Sequence, residues 1–197
     1  MAMLALYIVA AERMGFPKEK LHGNTMNSLY RRWCWDCIGF PPESAFKLMV
    51  ELIAYCTREM PQWNTTNISG YCMIEAGGSP VHETAFVMAT SIALTDKCIQ
   101  AGLNPDDFLP RFGFHIAQGN DFLENIAKLR AIRRMWAKIN KNRFNCSNPK
   151  AMQARIFVQT AGSSLTAQQP LNNIVRAAFQ TLGAILGGAN AVQTDAY

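Results

Sequence analysis

The chain has 197 residues, 49% hydrophobic and 17% charged, with a formal net charge of +5. That is enough apolar material for one domain with a sizeable core, and no stretch is disordered or low-complexity in composition. No run reaches the ~20 apolar residues of a membrane span. The apolar opening at residues 1–11 lacks a basic n-region and runs into Glu12-Arg13, so it reads as a core helix and not a signal peptide.

In chain order, that first helix ends at Gly15, with Pro17 beyond it. Residues 24–27 read as a short strand and residues 29–37 as a helix. Pro41-Pro42 open an amphipathic helix with Phe46, Met49, Leu52, Ile53 and Cys56 on one face. Residues 63–72 form the next strand and its carboxyl end, and 79–100 a helix closed by Gly102. Residues 110–116 are a strand and 121–140 a long helix. Lys128, Arg130, Arg133, Arg134, Lys138, Lys141 and Arg143 give that helix a basic face, read as solvated; a nucleic-acid groove is the less favoured reading. Residues 156–160 form a strand that bends through Ala161-Gly162-Ser163-Ser164 into a helix near Thr166, with Pro170 in its first turn. Ile174, Val175, Ala178, Phe179, Leu182 and Ile185 then recur as a stripe laid on a sheet. Residues 191–194 are the last strand.

Cysteines stand at 34, 37, 56, 72, 98 and 146. Only Cys34 and Cys37 have C-x-x-C spacing, inside an expected helix, and no second pair or His cluster completes a metal site. They read as reduced thiols of a cytoplasmic protein.

Strands roughly 35 to 45 residues apart, each followed by helix, imply parallel strands joined by right-handed crossovers. Polar residues gather at the strand carboxyl ends, which suits a TIM-type (β/α)8 barrel. No Gly-rich phosphate fingerprint supports the alternative, a doubly wound sheet. About five βα units are present, so residues 1–197 read as a single domain, part of a larger barrel with unpaired edges.

Gln159-Thr-Ala-Gly-Ser-Ser-Leu-Thr-Ala-Gln-Gln-Pro170, followed by Asn172-Asn-Ile-Val-Arg176, closely resembles the large subunit of the adenosylcobalamin-dependent acyl-CoA mutases, the methylmalonyl-CoA mutase family. Trp63-Asn64, Ile68-Ser-Gly-Tyr71, Glu75-Ala-Gly77, Pro110-Arg111, Lys128-Leu-Arg-Ala131 and Trp136-Ala-Lys138 fall in family order. The resemblance implies a barrel threaded by the CoA ester, with adenosylcobalamin as cofactor. It implies a separate cobalamin-binding domain or small subunit, which this chain lacks, and an oligomer for the complete protein. The implied reaction is a radical 1,2-shift on an acyl-CoA, an isomerase activity.

By the same resemblance, Tyr71 lies beside the adenosyl group, Glu75 and Gly162 contact the cofactor, and Asn190 occupies a cofactor-side position. Asn64, Arg111 and Gln159 are substrate-side. Several positions depart from the family pattern: Cys72 stands for a histidine that donates to the thioester carbonyl, and Asn24 and Met26 for a Thr and a Gln. Asp36 falls near an arginine for the substrate carboxylate, Gly113 replaces a Ser, and Phe157 replaces a His. These departures point to an uncharged or hydroxylated acyl group. The alternative is a catalytically degenerate paralogue that binds CoA, cobalamin or a partner subunit. For the lost donor, alternation along the strand selects His115, with Gly113 leaving room for it.

Overall fold

The computed structural model describes residues 2–28 and 40–196. The helix expected over 29–37, the Cys34/Cys37 pair and Asp36 lie outside the described residues.

The opening helix α1 (Ala2–Arg13) is followed by Gly15 in a left-handed conformation, φ 78°. It buries only Leu4 and Ala11, which join Leu21, Leu52, Cys56, Met60 and Trp63 in a small cluster. Over that cluster, β1 (Gly23–Asn24) pairs in parallel with β2 (Trp63–Asn64). A Cβ at Gly23 would lie 2.4 Å from the Trp63 ring, so the ring's position requires glycine there.

One residue after β2, the chain re-enters extended backbone as β3 (Thr66–Ser69) and joins a second sheet with β4 (Phe112–Gln118), β5 (Arg155–Thr160) and β6 (Ala191–Gln193). Its order is β3-β4-β5-β6, all parallel. The crossovers are α2 (Pro42–Glu59), the short α3 (Tyr71–Glu75) with α4 (Pro80–Gln100) and α5 (Pro105–Phe108), then α6 (Phe122–Asn142) and α7 (Pro170–Leu186). This is the mixed α/β, parallel architecture that the alternation of elements predicts.

Register and alternation give the sheet two unlike faces. Ile68, Phe112, Phe114, Ile116, Ile156 and Val158 point one way and are buried among Ile53, Val87, Leu94, Leu129, Ile132, Trp136 and Ala184 of the helices. Trp136 meets the Phe114 ring edge-on at 5.0 Å. Asn67, Ser69, Gly113, His115, Ala117, Arg155, Phe157 and Gln159 share the other, open face.

Four expectations change. Residues 63–72 do not form one strand: the run splits at Thr65, and Tyr71 and Cys72 are already helical. Arg111 belongs to a 3-10 turn before β4 and not to the strand. The last long helix begins at Pro170, not near Thr166, because Asn173 bonds both the N–H and the carbonyl of Thr166 and holds that segment as a loop. The basic face of α6 is not wholly solvated: Lys128 is buried in an ion pair, and Arg133 donates to the carbonyls of Gly187 and Gly188 at the end of α7.

The stripe of α7 is also exposed: Ile174, Val175, Phe179, Leu182 and Ile185 face outward, while Asn173, Gln180, Gly183 and Ala184 pack inward. Close approach to β4 and β5 selects the small and amide side chains. A Cβ on Gly183 would sit 2.5 Å from Gln118 Nε2. Among the described residues no helix is long and apolar enough to cross a membrane.

Candidate functional site

The open sheet face carries polar groups from its amino to its carboxyl end. At the amino end, Arg155 opens β5 and donates through Nη1 to Asn64 Oδ1 at 2.7 Å. Arg111 stands just before the neighbouring β4. Burial, then the nearby Arg155 charge, pushes its pKa down from the ordinary arginine value. Two guanidiniums this close, one in the turn before β4 and one opening β5, favour an anion between them. From Arg155 to Thr160 the strand runs about 16 Å, at ~3.3 Å per residue.

Level with Arg155 in the register, Gly113 leaves the face open: a Cβ there would meet nothing closer than 3.6 Å. Next to it, Asn67 Nδ2 donates to Met26 Sδ at 3.0 Å, and Asn67 Oδ1 is buried with no hydrogen-bond partner among the described residues. The exposed Asn24 pairs in register with Asn64 at the same end.

At the middle of β4, level with the last residue of β3, His115 is the hub of a cluster that extends to the carboxyl end. Its Nδ1 lies 3.3 Å from Ser69 Oγ and its Nε2 3.1 Å from Gln159 Oε1. Gln159 Nε2 in turn donates to Asp195 Oδ1 at 3.1 Å. A carboxylate only accepts, so Gln159 must turn its Oε1 toward the ring. In its neutral form the imidazole then carries its hydrogen on Nε2, and Nδ1 accepts from the Ser69 hydroxyl.

Tyr71 stacks on one side of His115, with centroids 5.1 Å apart and planes 3° from parallel, and Phe157 approaches at 4.9 Å. Cys72 touches the same cluster through Ser69, its Sγ 3.8 Å from the hydroxyl. The ring therefore lies on the open face, one contact removed from Cys72.

Beside this hub the turn after β5 forms a cradle. Glu75 accepts from Ser163 N at 3.0 Å and from its hydroxyl at 3.1 Å. A Cβ on Gly162 would lie 3.3 Å from Glu75 Oε2, 3.5 Å from the Tyr71 hydroxyl and 3.6 Å from Asp195 Oδ2. Burial, with the Asp195 and Glu75 carboxylates adding to it, pushes the Tyr71 phenol up to about 12, so it stays protonated. Asp195 Oδ2 is buried and lacks a hydrogen-bond partner among the described residues, so the cradle calls for a donor such as a sugar hydroxyl or an amide.

Thus Tyr71, Cys72, Glu75, His115, Gln159 and Gly162 come together at the carboxyl end. Asn24, Met26, Asn64, Arg111 and Gly113 line the approach to it. Asn190 does not join them: its Oδ1 accepts from Ile156 N at 2.8 Å, near the amino end of β5. Asp36 is outside the described residues. Sequence reasoning missed Ser69, Asp195 and Arg155 as members. Alternation from His115 reaches Arg155 and Ser69 only once the register is known.

A family model described as methylmalonyl-CoA mutase matches residues 1–197. The methylmalonyl-CoA mutase of Escherichia coli K12 is 39% identical over 196 residues, covering 99% of this chain and 27% of that protein. The human mitochondrial methylmalonyl-CoA mutase is 38% identical, with 26% of it covered. The 2-hydroxyisobutanoyl-CoA mutase large subunit of Aquincola tertiaricarbonis is 36% identical, with 35% of it covered. The chain thus spans about a quarter to a third of the length of these relatives.

Proposed function

This chain belongs to the methylmalonyl-CoA mutase family, and on that premise we propose that it is the acyl-CoA-binding part of an adenosylcobalamin-dependent isomerase. Its parallel sheet is one portion of a (β/α)8 barrel. A cobalamin-binding domain or small subunit completes the site, and the complete protein is a cytoplasmic oligomer. The observation that supports this best is the continuous polar track on the open face, from two arginines to the His115 hub.

In this reading Arg111 and Arg155 hold the anionic part of coenzyme A, and Asn64, Asn67 and Gly113 flank its extended arm. The acyl group lies at the His115 cluster, which starts two residues beyond Arg155 in the register and extends toward the carboxyl end. Tyr71, Glu75, Gly162 and Asp195 would hold the cofactor, and the protonated Tyr71 and the open Asp195 oxygen suit its hydroxyl and amide groups. When bound, adenosylcobalamin supplies the radical chemistry that starts the 1,2-shift.

Partial negative charge accompanies migration at the thioester oxygen; His115 would donate to it by exchanging its Nε2–H bond to Gln159 Oε1, and Gln159 keeps a second N–H beside the one given to Asp195. Cys72 is a poor substitute, since a thiol is a weak donor. Tyr71 and Phe157 shield the site from water.

The acidic side chains that line the cradle are Asp195 and Glu75, and among the described residues neither is in an ion pair. A substrate carboxylate would face them without a counter-charge, so the acyl group is uncharged or hydroxylated. The test is absorbance of the complete mutase loaded with adenosylcobalamin. A cob(II)alamin band with a hydroxylated branched acyl-CoA, and little with methylmalonyl-CoA, is expected. Efficient turnover of methylmalonyl-CoA refutes the substrate assignment. Tight binding of cofactor and acyl-CoA with no band for any acyl group refutes the isomerase and leaves a binding module.

A further inference from the structure

The most deeply buried charges in the described molecule lie behind the open face, not on it. Glu83 on α4 is fully buried, and its Oε2 accepts from Lys128 Nζ of α6 at 2.7 Å. Neither side chain reaches the open face; both bind the backbone of Ala117 on β4. Ala117 N–H donates to Glu83 Oε1 at 2.7 Å, and the Ala117 carbonyl accepts from Lys128 Nζ at 2.6 Å.

The ladder explains why these two groups need partners. Gly70 N–H donates to the His115 carbonyl at 2.8 Å, the last rung between β3 and β4. In a continuing parallel ladder the next rung would run from Ala117 N–H to the Gly70 carbonyl. That carbonyl accepts instead from Met73 N–H at 2.8 Å, opening α3. The chain must leave the sheet here to place Tyr71 beside His115. Its departure would strand both polar groups of Ala117 in a dry interior. Glu83 and Lys128 stand where the missing strand would be. Contact is tight enough that a Cβ on Gly70 would lie 2.5 Å from Glu83 Cγ.

We propose that Glu83 and Lys128 are positioning residues: by clasping the Ala117 backbone they replace the missing rung and hold Tyr71 stacked on His115. A buried ion pair is weak evidence for stability as such, because an apolar pair of the same volume serves as well or better. What an apolar pair cannot supply is one acceptor and one donor at the two Ala117 groups. The inference takes from the proposed function only that the Tyr71–His115 face receives substrate, and its test does not use turnover.

The test compares the parent with Glu83→Leu/Lys128→Met, which removes the clasp without leaving a buried lone charge. Histidine labelled with carbon-13 at Cε1 reports the ring current of Tyr71 on His115, assigned by loss of the signal in His115→Gln. Amide exchange reports Ala117 against Val158, which lies in the next strand away from the clasp.

In the folded double variant the His115 signal should move at least halfway to that of exposed His22. Ala117 should exchange roughly 100-fold faster while Val158 keeps its protection. An unmoved His115 signal overturns the proposal, as does equal loss of protection at both amides, which would mark a merely structural pair.

Two milder variants cover the case in which the double variant does not fold. Lys128→Met leaves Glu83 to take up a proton, which burial already favours; it removes the bonds to Glu83 and to the Ala117 carbonyl and keeps the acceptor for Ala117 N–H. Its His115 signal should shift part of the way; no shift overturns the proposal. Glu83→Gln/Lys128→Met keeps an acceptor for Ala117 N–H and should keep that amide within about 10-fold of the parent's exchange rate; a loss of about 100-fold there overturns the proposal.

Discussion

One added carbon, placed at two glycines 92 residues apart in sequence, tests fold and site separately. At Gly70 the new Cβ would lie 2.5 Å from Glu83 Cγ and 2.7 Å from Val87 Cγ2. Glu83 cannot retreat, since its two oxygens are fixed by Ala117 and Lys128. Such overpacking costs about 1–3 kcal/mol, and the rigidity of Glu83 puts Gly70→Ala near the top of that range. The lower unfolded-state entropy of alanine returns about 0.4–1 kcal/mol. A net loss of about 2 kcal/mol corresponds to a Tm drop of about 4–8 °C for a chain of this size.

At Gly162 the backbone is not left-handed and the nearest contact is 3.3 Å, to the end of the Glu75 side chain. Gly162→Ala should therefore stay within about 0.5 kcal/mol of the parent in stability. The methyl would nevertheless fill the cradle between Tyr71, Glu75 and Asp195. A misfit of about 1–3 kcal/mol there means roughly a 5- to 150-fold weaker cobalamin complex. Thermal melts by circular dichroism and absorbance titration with cobalamin read the two effects. A Gly70→Ala Tm within 1 °C of the parent would refute the packing argument. Unchanged cobalamin affinity in Gly162→Ala would refute the cradle.

His115→Ala in the complete mutase should lower turnover about 10²- to 10³-fold, the loss typical of one oxyanion donor, and Cys72→Ala much less; equal losses would remove His115 from the role. Asp106 accepts from Ser147 Oγ at 2.5 Å, Ser147 N at 2.9 Å and Asn148 N at 3.0 Å, and these bonds, the Ser147 hydroxyl foremost, hold its carboxyl below the ordinary value. Its folded pKa is depressed, so its contribution is present above about pH 4 and fades as pH falls through the folded value. The urea midpoint of Asp106→Asn should therefore trail the parent at pH 7 and converge with it in acid; a constant gap would contradict the linkage. Burial pushes the thiols of Cys56 up to about 11 and Cys98 up to about 12. At pH 8 their peptides should take up iodoacetamide at least roughly 100-fold more slowly in the folded chain than in urea, and rapid native labelling would show that the core opens.

Periodicity alone carried the strands and helices whose one face meets the core: Phe112–Gln118, Phe122–Asn142 and Pro80–Gln100 fall close to where the apolar spacing puts them. It misled at α7, where the most regular apolar stripe faces outward and the inward face is made of Asn173, Gln180, Gly183 and Ala184. Hydrophobic spacing reports a surface that seeks cover, not which neighbour provides it. Lys128 was misread for a related reason: its charge suits a solvated face, and only the end of β3 makes a buried ammonium worth its desolvation. The face of the sheet that His115 takes was legible because strand alternation from Gly113 is strict. Its partners Ser69 and Asp195 were not, since each comes from another strand or its end, at a distance set by register.

The main sheet is ordered β3-β4-β5-β6, the order of synthesis, and its pairings span between 34 residues, as at Ile156 and Asn190, and 46, as at Ser69 and His115. No ladder is local, yet none waits for a strand made much later. At about 5–20 residues per second on the ribosome, a new strand becomes available every ~2–9 s to an edge already laid down. The sheet can therefore grow by accretion, one strand at a time, in step with translation. The edge that catches each new strand is the one the previous strand has just created.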